Sequence, residues 1–155
     1  MTGHYRSPRA FDDLVVGDEL DSYGRTITDA DIILFTGIAG IKLPIFLDEE
    51  YCKKHTKFGG RIVPGPLLLS FASAMIVDLI GPTTISGLGW DKVRFFAPAR
   101  PGDTIRTRIR VESKRDTSDG KRGILEIAPT VIDQRGAIVM SCLNTLMMRK
   151  GPLEI

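Results

Sequence analysis

The chain has 155 residues, 43% of them hydrophobic and 26% charged, and 21 basic against 19 acidic side chains leave a net charge of +2. This is the composition of one ordinary globular domain of about 100–200 residues. It excludes a disordered or collagen-like chain, and so slight a charge gives no reason to expect nucleic acid or an anionic membrane as partner.

Cys52 and Cys142 are too few for a disulfide framework. With no CxxC pair and only His4 and His55, no structural zinc site is expected. The first 25 residues lack the apolar core of a secretory signal. The longest apolar run, Pro66 to Ile80, holds Ser70, Ser73 and Asp78 and falls short of the roughly 20 residues of a membrane helix. A reducing, cytoplasmic setting is therefore expected.

The first nine residues are polar and expected to fray. Phe11–Leu20 (FDDLVVGDEL) is an apolar stretch broken by a Gly17-Asp18 turn, and a strand through Tyr23 and Ile27 follows. Thr28 caps a helix, with Asp29 and Asp31 in a first turn that favours negative charge; Ile32, Ile33, Phe35 and Thr36 carry its face to Gly37. Ala39–Leu47 is apolar and interrupted by Pro44, which predicts a buried loop whose backbone must find partners. Asp48 caps a short helix from Glu49 to about Lys54, and Phe58-Gly59-Gly60 is a break.

Gly65-Pro66 then opens, and Gly81-Pro82 closes, a helix over Leu67–Ile80. It is apolar on nearly every side, which predicts burial. The remainder reads as β. Ile85–Phe96 is a strand in which Gly87 and Gly89 invite a bulge, and Pro98–Asp103 is a turn. In Thr104–Val111, Ile105, Thr107, Ile109 and Val111 alternate with Arg106, Arg108 and Arg110, the pattern of a half-buried strand. Ser118-Asp119-Gly120 and Gln134-Arg135-Gly136 mark two turns, with strands over Gly123–Ile132 and Ala137–Met148. A sheet with one apolar face needs a cover, so the expected fold is α+β: a curved antiparallel sheet wrapped around the Leu67–Ile80 helix.

Over residues 11–149 the chain resembles the MaoC-like dehydratases, the hot-dog-fold group that includes (R)-specific enoyl-CoA hydratases. The resemblance lies in the order and spacing of FDDLVVGDEL at 11–20, TDADIILFTG at 28–37, DEEYCKKHTKFGGRIVPG at 48–65, VRFFAPARPGDTI at 93–105 and DQRGAIVM at 133–140. It implies a single hot-dog domain over 1–155, and a homodimer or a heterodimer with a catalytic hydratase chain, its sheets joined edge to edge. It also implies an acyl-CoA thioester as ligand, with coenzyme A as carrier and no other cofactor.

The family's catalytic segment runs Gly-Asp, Asn-Pro, His. One member of the Asp/His dyad activates water, and the other donates a proton next to the thioester carbonyl. An ungapped alignment sets Gly40-Ile41-Lys42-Leu43-Pro44-Ile45-Phe46 on that segment. The Asp position is Ile41, the Asn position Leu43 and the His position Phe46, and Pro64-Gly65 stands where the family often has His-Gly. Neither Ile41 nor Phe46 can carry a proton, so no catalytic residue is assigned and the standard mechanism does not transfer. A turnover chemistry, if present, needs a non-standard site. The substrate-binding candidates are Ile41, Leu43, Phe46, Arg61, Pro64 and Gly65, with the Gly65 N–H as oxyanion donor at the helix N-terminus.

Each remaining candidate has a plainer reading beside it. Asp48, Glu49 and Glu50 could supply a carboxylate, but capping and dipole placement account for them. Lys53, Lys54, Lys57 and Arg61 could meet coenzyme A phosphates or form a solvated surface. Arg106, Arg108 and Arg110 read as the wet face of a strand, Ser70 and Ser73 as packing residues and the cysteines as small hydrophobes, while His55 as a rescued base is the less favoured reading. Three readings stay open: a hydratase-family lyase, a non-catalytic acyl-thioester binder or structural subunit of a heterodimeric hydratase, and a hot-dog thioesterase.

Overall fold

In the computed structural model, residues 8–151 are described. A single turn of 3-10 helix at Phe11–Asp13 leads to two short strands, β1 (Glu19–Asp21) and β2 (Arg25–Thr26). Helices α1 (Asp29–Ala39), α2 (Pro44–Leu47), α3 (Glu49–His55) and α4 (Gly65–Ile80) follow. Four long strands complete the chain: β3 (Thr84–Phe95), β4 (Thr104–Asp116), β5 (Arg122–Asp133) and β6 (Ile138–Arg149). The sheet is antiparallel in order β1-β4-β5-β6-β3, with β2 also paired to β4.

The sheet closes on α4 as its periodicity demands. Inward Ile105, Ile109, Leu125, Ile127, Val131, Met140 and Met148 are buried. The helix, about 24 Å long at 1.5 Å per residue, bridges two core clusters. Leu67, Leu68, Phe71, Ala72 and Met75 belong to one, and Ile76 and Ile80 to the other. This is the expected α+β arrangement of one helix wrapped by one curved sheet.

Several local expectations are corrected. Helix α1 runs two residues past Gly37, to Ala39, because the left-handed position that ends it is Gly40, at φ 69°. The predicted buried loop over Ala39–Leu47 is not a buried loop. Pro44 starts the four-residue helix α2, where its missing N–H costs nothing, and no residue of α2 is buried. Leu43 is 56% exposed. Helix α4 is buried on one face, while Ser70, Ser73, Ala74 and Val77 look outward. With the turn after it, Gly65–Thr83 is long and apolar enough to cross a membrane by composition, yet its other face is packed on the sheet as a core helix. The strand expected through Tyr23–Ile27 shrinks to the two residues of β2, and β1 lies before it. The expected fraying of residues 1–7 lies outside the described residues, but Arg9 is tied down: its N–H donates to Leu79 O at 2.9 Å and its guanidinium to Asp18 at 3.2 Å.

Other features follow the sequence closely. Thr28 Oγ1 accepts the Asp31 N–H, and Asp31 returns the bond to the Thr28 N–H, a complete capping box. Strand β3 slips register at Thr84/Ser86, Gly87/Gly89 and Asp91/Arg94, so the two glycines do mark bulges. Lys92 turns the third slip at φ 51°.

Candidate functional site

At the N-terminal end of α4 lies an open cleft of about 350 Å3. Three pieces of chain far apart in sequence form it. Phe46 comes from α2, Phe58 and Ile62 come from the segment before α4, and Phe95 and Phe96 come from the end of β3. Gly65 and Leu68 of α4 form its floor.

Backbone bonds set these walls. The Val63 N–H donates to Ala99 O at 2.8 Å and the Ile62 N–H to Ile45 O at 3.3 Å, so the 58–63 segment is held on both sides. The Phe96 N–H donates to Val139 O at 3.0 Å, which anchors the far wall to β6. Below α2, the buried Cys52 thiol donates to Ile45 O at 3.3 Å, so it ties α3 to α2 as well as packing there. A β-carbon at Gly65 would stand 2.6 Å from Cζ of the half-exposed Phe95, so the ring rests directly against the glycine. As the first residue of α4, its N–H has no preceding helical turn to accept it, whereas the Leu67 and Leu68 N–H groups both turn back to Pro64 O.

The sequence candidates divide accordingly. Phe46 and Gly65 line the cleft, with Pro64 buried just behind. Ile41 and Leu43 are not among the lining residues; the Ile41 N–H closes α1 by donating to Thr36 O at 2.9 Å. Arg61 turns away to Asp29 at 2.6 Å and Glu49 at 3.5 Å, and its N–H donates to Glu49 at 3.0 Å. That N–H, followed by Lys53 and the Arg61 guanidinium, holds the Glu49 carboxyl below its usual range. Asp48 caps α3 through the Tyr51 N–H at 2.8 Å, and Glu50 pairs with Lys53 at 3.2 Å. His55 stacks on Tyr51, ring centroids 5.1 Å apart. Arg108 pairs with Asp21 at 2.8 Å. None of these lines the cleft.

The far wall was missed at the sequence level. Phe95, Phe96, Ala97 and Pro98 are adjacent, and two aromatics before a proline at a strand end were the available signal. Their partners across the cleft lie more than thirty positions earlier. None of the eleven lining residues carries a charged, hydroxyl or amide side chain. The cleft can shed water around an apolar group and offer backbone N–H groups, but its side chains cannot move a proton.

The chain matches the family described as MaoC like domain over residues 13–130. It belongs to the MaoC-like family. The MaoC protein of Klebsiella aerogenes is 34% identical over 119 residues, which cover 77% of this chain and 35% of that one. An (R)-specific enoyl-CoA hydratase of Rhodospirillum rubrum is 34% identical over 102 residues, covering 65% and 68%. Among solved structures, a monoamine oxidase regulatory protein from Archaeoglobus superposes with TM-score 0.82 at 33% identity, covering 96% of this chain and 99% of that one. The MaoC-like chain spans 35–41% of the length of three curated relatives it matches. The hot-dog fold expected from its motifs is the fold of these relatives.

Proposed function

We propose that this MaoC-like hot-dog unit binds an acyl-CoA thioester in the Phe46–Phe95 cleft and does not itself hydrate it. The observation that carries this reading is the lining. The family position for the proton-carrying His is Phe46, on the cleft wall, and no titratable side chain replaces it there. General acid–base catalysis needs a titratable group within hydrogen-bond reach of the reacting atoms. The hydratase among the relatives supports a thioester ligand. The Gly65 N–H, at the positive end of a sixteen-residue helix, faces the thioester oxygen. Pro64 is buried beside Gly65, and Arg61 fixes the segment that carries Phe58 and Ile62, whereas Ile41 and Leu43, at the family's polar positions, lie outside the lining. Coenzyme A enters only as the carrier.

A thioesterase would need a free carboxylate at the cleft, and the candidates Asp48 and Glu50 are engaged on α3. The reading therefore favours a binding subunit in the cytoplasm, paired with itself or with a chain that carries the dyad. Strand β3 supports such pairing: it is the free end of the sheet order, with Ile85 and Leu88 about half exposed.

Calorimetric titration with hexanoyl-CoA and with free coenzyme A tests the reading. Binding that depends on the acyl group, and that falls at least tenfold in Phe46→Asp, is expected. Equal affinity for the two ligands would overturn it.

A further inference from the structure

Resting on the acyl-CoA reading, we infer that the cleft selects by charge: it takes a hydrocarbon acyl group of about six carbons and refuses the same group ending in a carboxylate. The walls carry the argument. Phe46, Phe58, Leu68, Phe95 and Phe96 present only carbon, and the other lining side chains are aliphatic, proline or absent. No lining side chain is a cation, and the ammonium of the exposed Lys57 stands outside the lining, 5.9 Å from the Phe58 ring centroid. Arg61 is committed to Asp29 and Glu49, and one Arg100 guanidinium nitrogen is committed to the Phe58 carbonyl. Backbone donors along the walls are engaged as well: Ile62 with Ile45, Val63 with Ala99, Phe96 with Val139.

A carboxylate pressed against these walls gives up part of its hydration and meets no side-chain donor among the lining residues, a loss larger than the dispersion gained from one extra group. Size sets the other bound. An engineered apolar cavity of about 150 Å3 accepts benzene, and this cleft measures about 350 Å3. A six-carbon acyl chain therefore fits, with its thioester toward Gly65.

The test is a calorimetric comparison, on the full chain, of hexanoyl-CoA with adipoyl-CoA, which is the same chain ended by a carboxylate, and with free coenzyme A. Hexanoyl-CoA should bind about a hundredfold more tightly than adipoyl-CoA, and adipoyl-CoA no better than coenzyme A. In Phe46→Arg, a change on the half-buried face of a short surface helix, the ratio should shrink at least tenfold because the wall now offers a cation. Affinities of hexanoyl- and adipoyl-CoA within threefold of each other, both above coenzyme A, would overturn the charge selection and leave the acyl-CoA reading standing. Neither ligand exceeding coenzyme A would overturn both.

Discussion

Gly123→Ala is the substitution whose outcome follows most directly from the packing. Gly123 is the second residue of β5, in the middle of the sheet, paired to Asp116 on one side and Met148 on the other. The Cζ end of the Phe11 ring rests against it, and a β-carbon there would fall inside the ring's van der Waals surface, against Cζ and both Cε atoms. The ring has nowhere to retreat. Phe11 is fully buried, and the Lys114 ammonium sits 4.5 Å from its centroid while donating at 2.7 Å to the Phe11 and Leu14 carbonyls. A methyl group at 123 therefore displaces the ring from the core. Losing a buried Phe costs about 3–5 kcal/mol, and replacing a strand glycine by alanine returns roughly 0.5–1 kcal/mol. The net loss is about 2–4 kcal/mol, or about 5–15 °C in melting temperature for a chain of this size. Urea unfolding followed by circular dichroism at fixed protein concentration measures it. In a Phe11→Ala background the same Gly123→Ala change should cost less than about 0.5 kcal/mol, since the clash is gone. A near-neutral Gly123→Ala in the wild-type chain, or full additivity of the pair, would refute the reasoning.

Four further outcomes are expected. Thr28→Ala should lower stability by about 1 kcal/mol through loss of the α1 capping box, read from the same urea curves. Carboxyl carbon titration by NMR should find Asp31, Asp119 and Asp133 each with a midpoint below that of an exposed aspartate. The Thr117 hydroxyl and then Arg122 lower Asp119. For Asp31 and Asp133 burial alone would raise the value, but hydrogen bonds from Thr28 and Arg25, and from Arg135 and the Ala137 N–H, outweigh it. Their folded-state values lie below the unfolded ones near 3.9, so this stabilisation is complete above about pH 4 and is lost as the pH falls further. Cys142, pushed up to about 11 by burial, and Cys52, wholly inaccessible, should not react with a disulfide reagent at pH 8 until the chain unfolds. Arg61→Ala should lower stability by about 1 kcal/mol and weaken acyl-CoA binding less than Phe46→Asp does, because Arg61 ties its segment to Asp29 of α1 and Glu49 of α3 and does not line the cleft.

The fold was legible where a single period ruled a segment. The alternation of Thr104–Val111 and the apolar run into Gly81-Pro82 each point to one partner, the other. Thr28 and Asp48 were legible as caps because a cap is a local bond three residues long. The site was half legible. Register alone put Phe46 at the family's His position and Gly65 at the helix start, and both line the cleft. The opposite wall depends on β3 and the 58–63 segment meeting across more than thirty residues, which no local pattern encodes. Leu43-Pro44 misled because apolar composition suggests burial, whereas Pro44 starts an exposed turn of helix. Arg61 was legible as a charge but not as a tether, since Asp29 is thirty-two positions away.

The most direct measurement follows the enoyl thioester absorbance of (E)-2-hexenoyl-CoA with the purified chain at a concentration where calorimetry shows hexanoyl-CoA bound. If the cleft binds without acid–base groups, the absorbance decays at the uncatalysed rate. Decay proportional to protein concentration, abolished by Phe46→Asp, would place catalysis in this cleft and contradict the account.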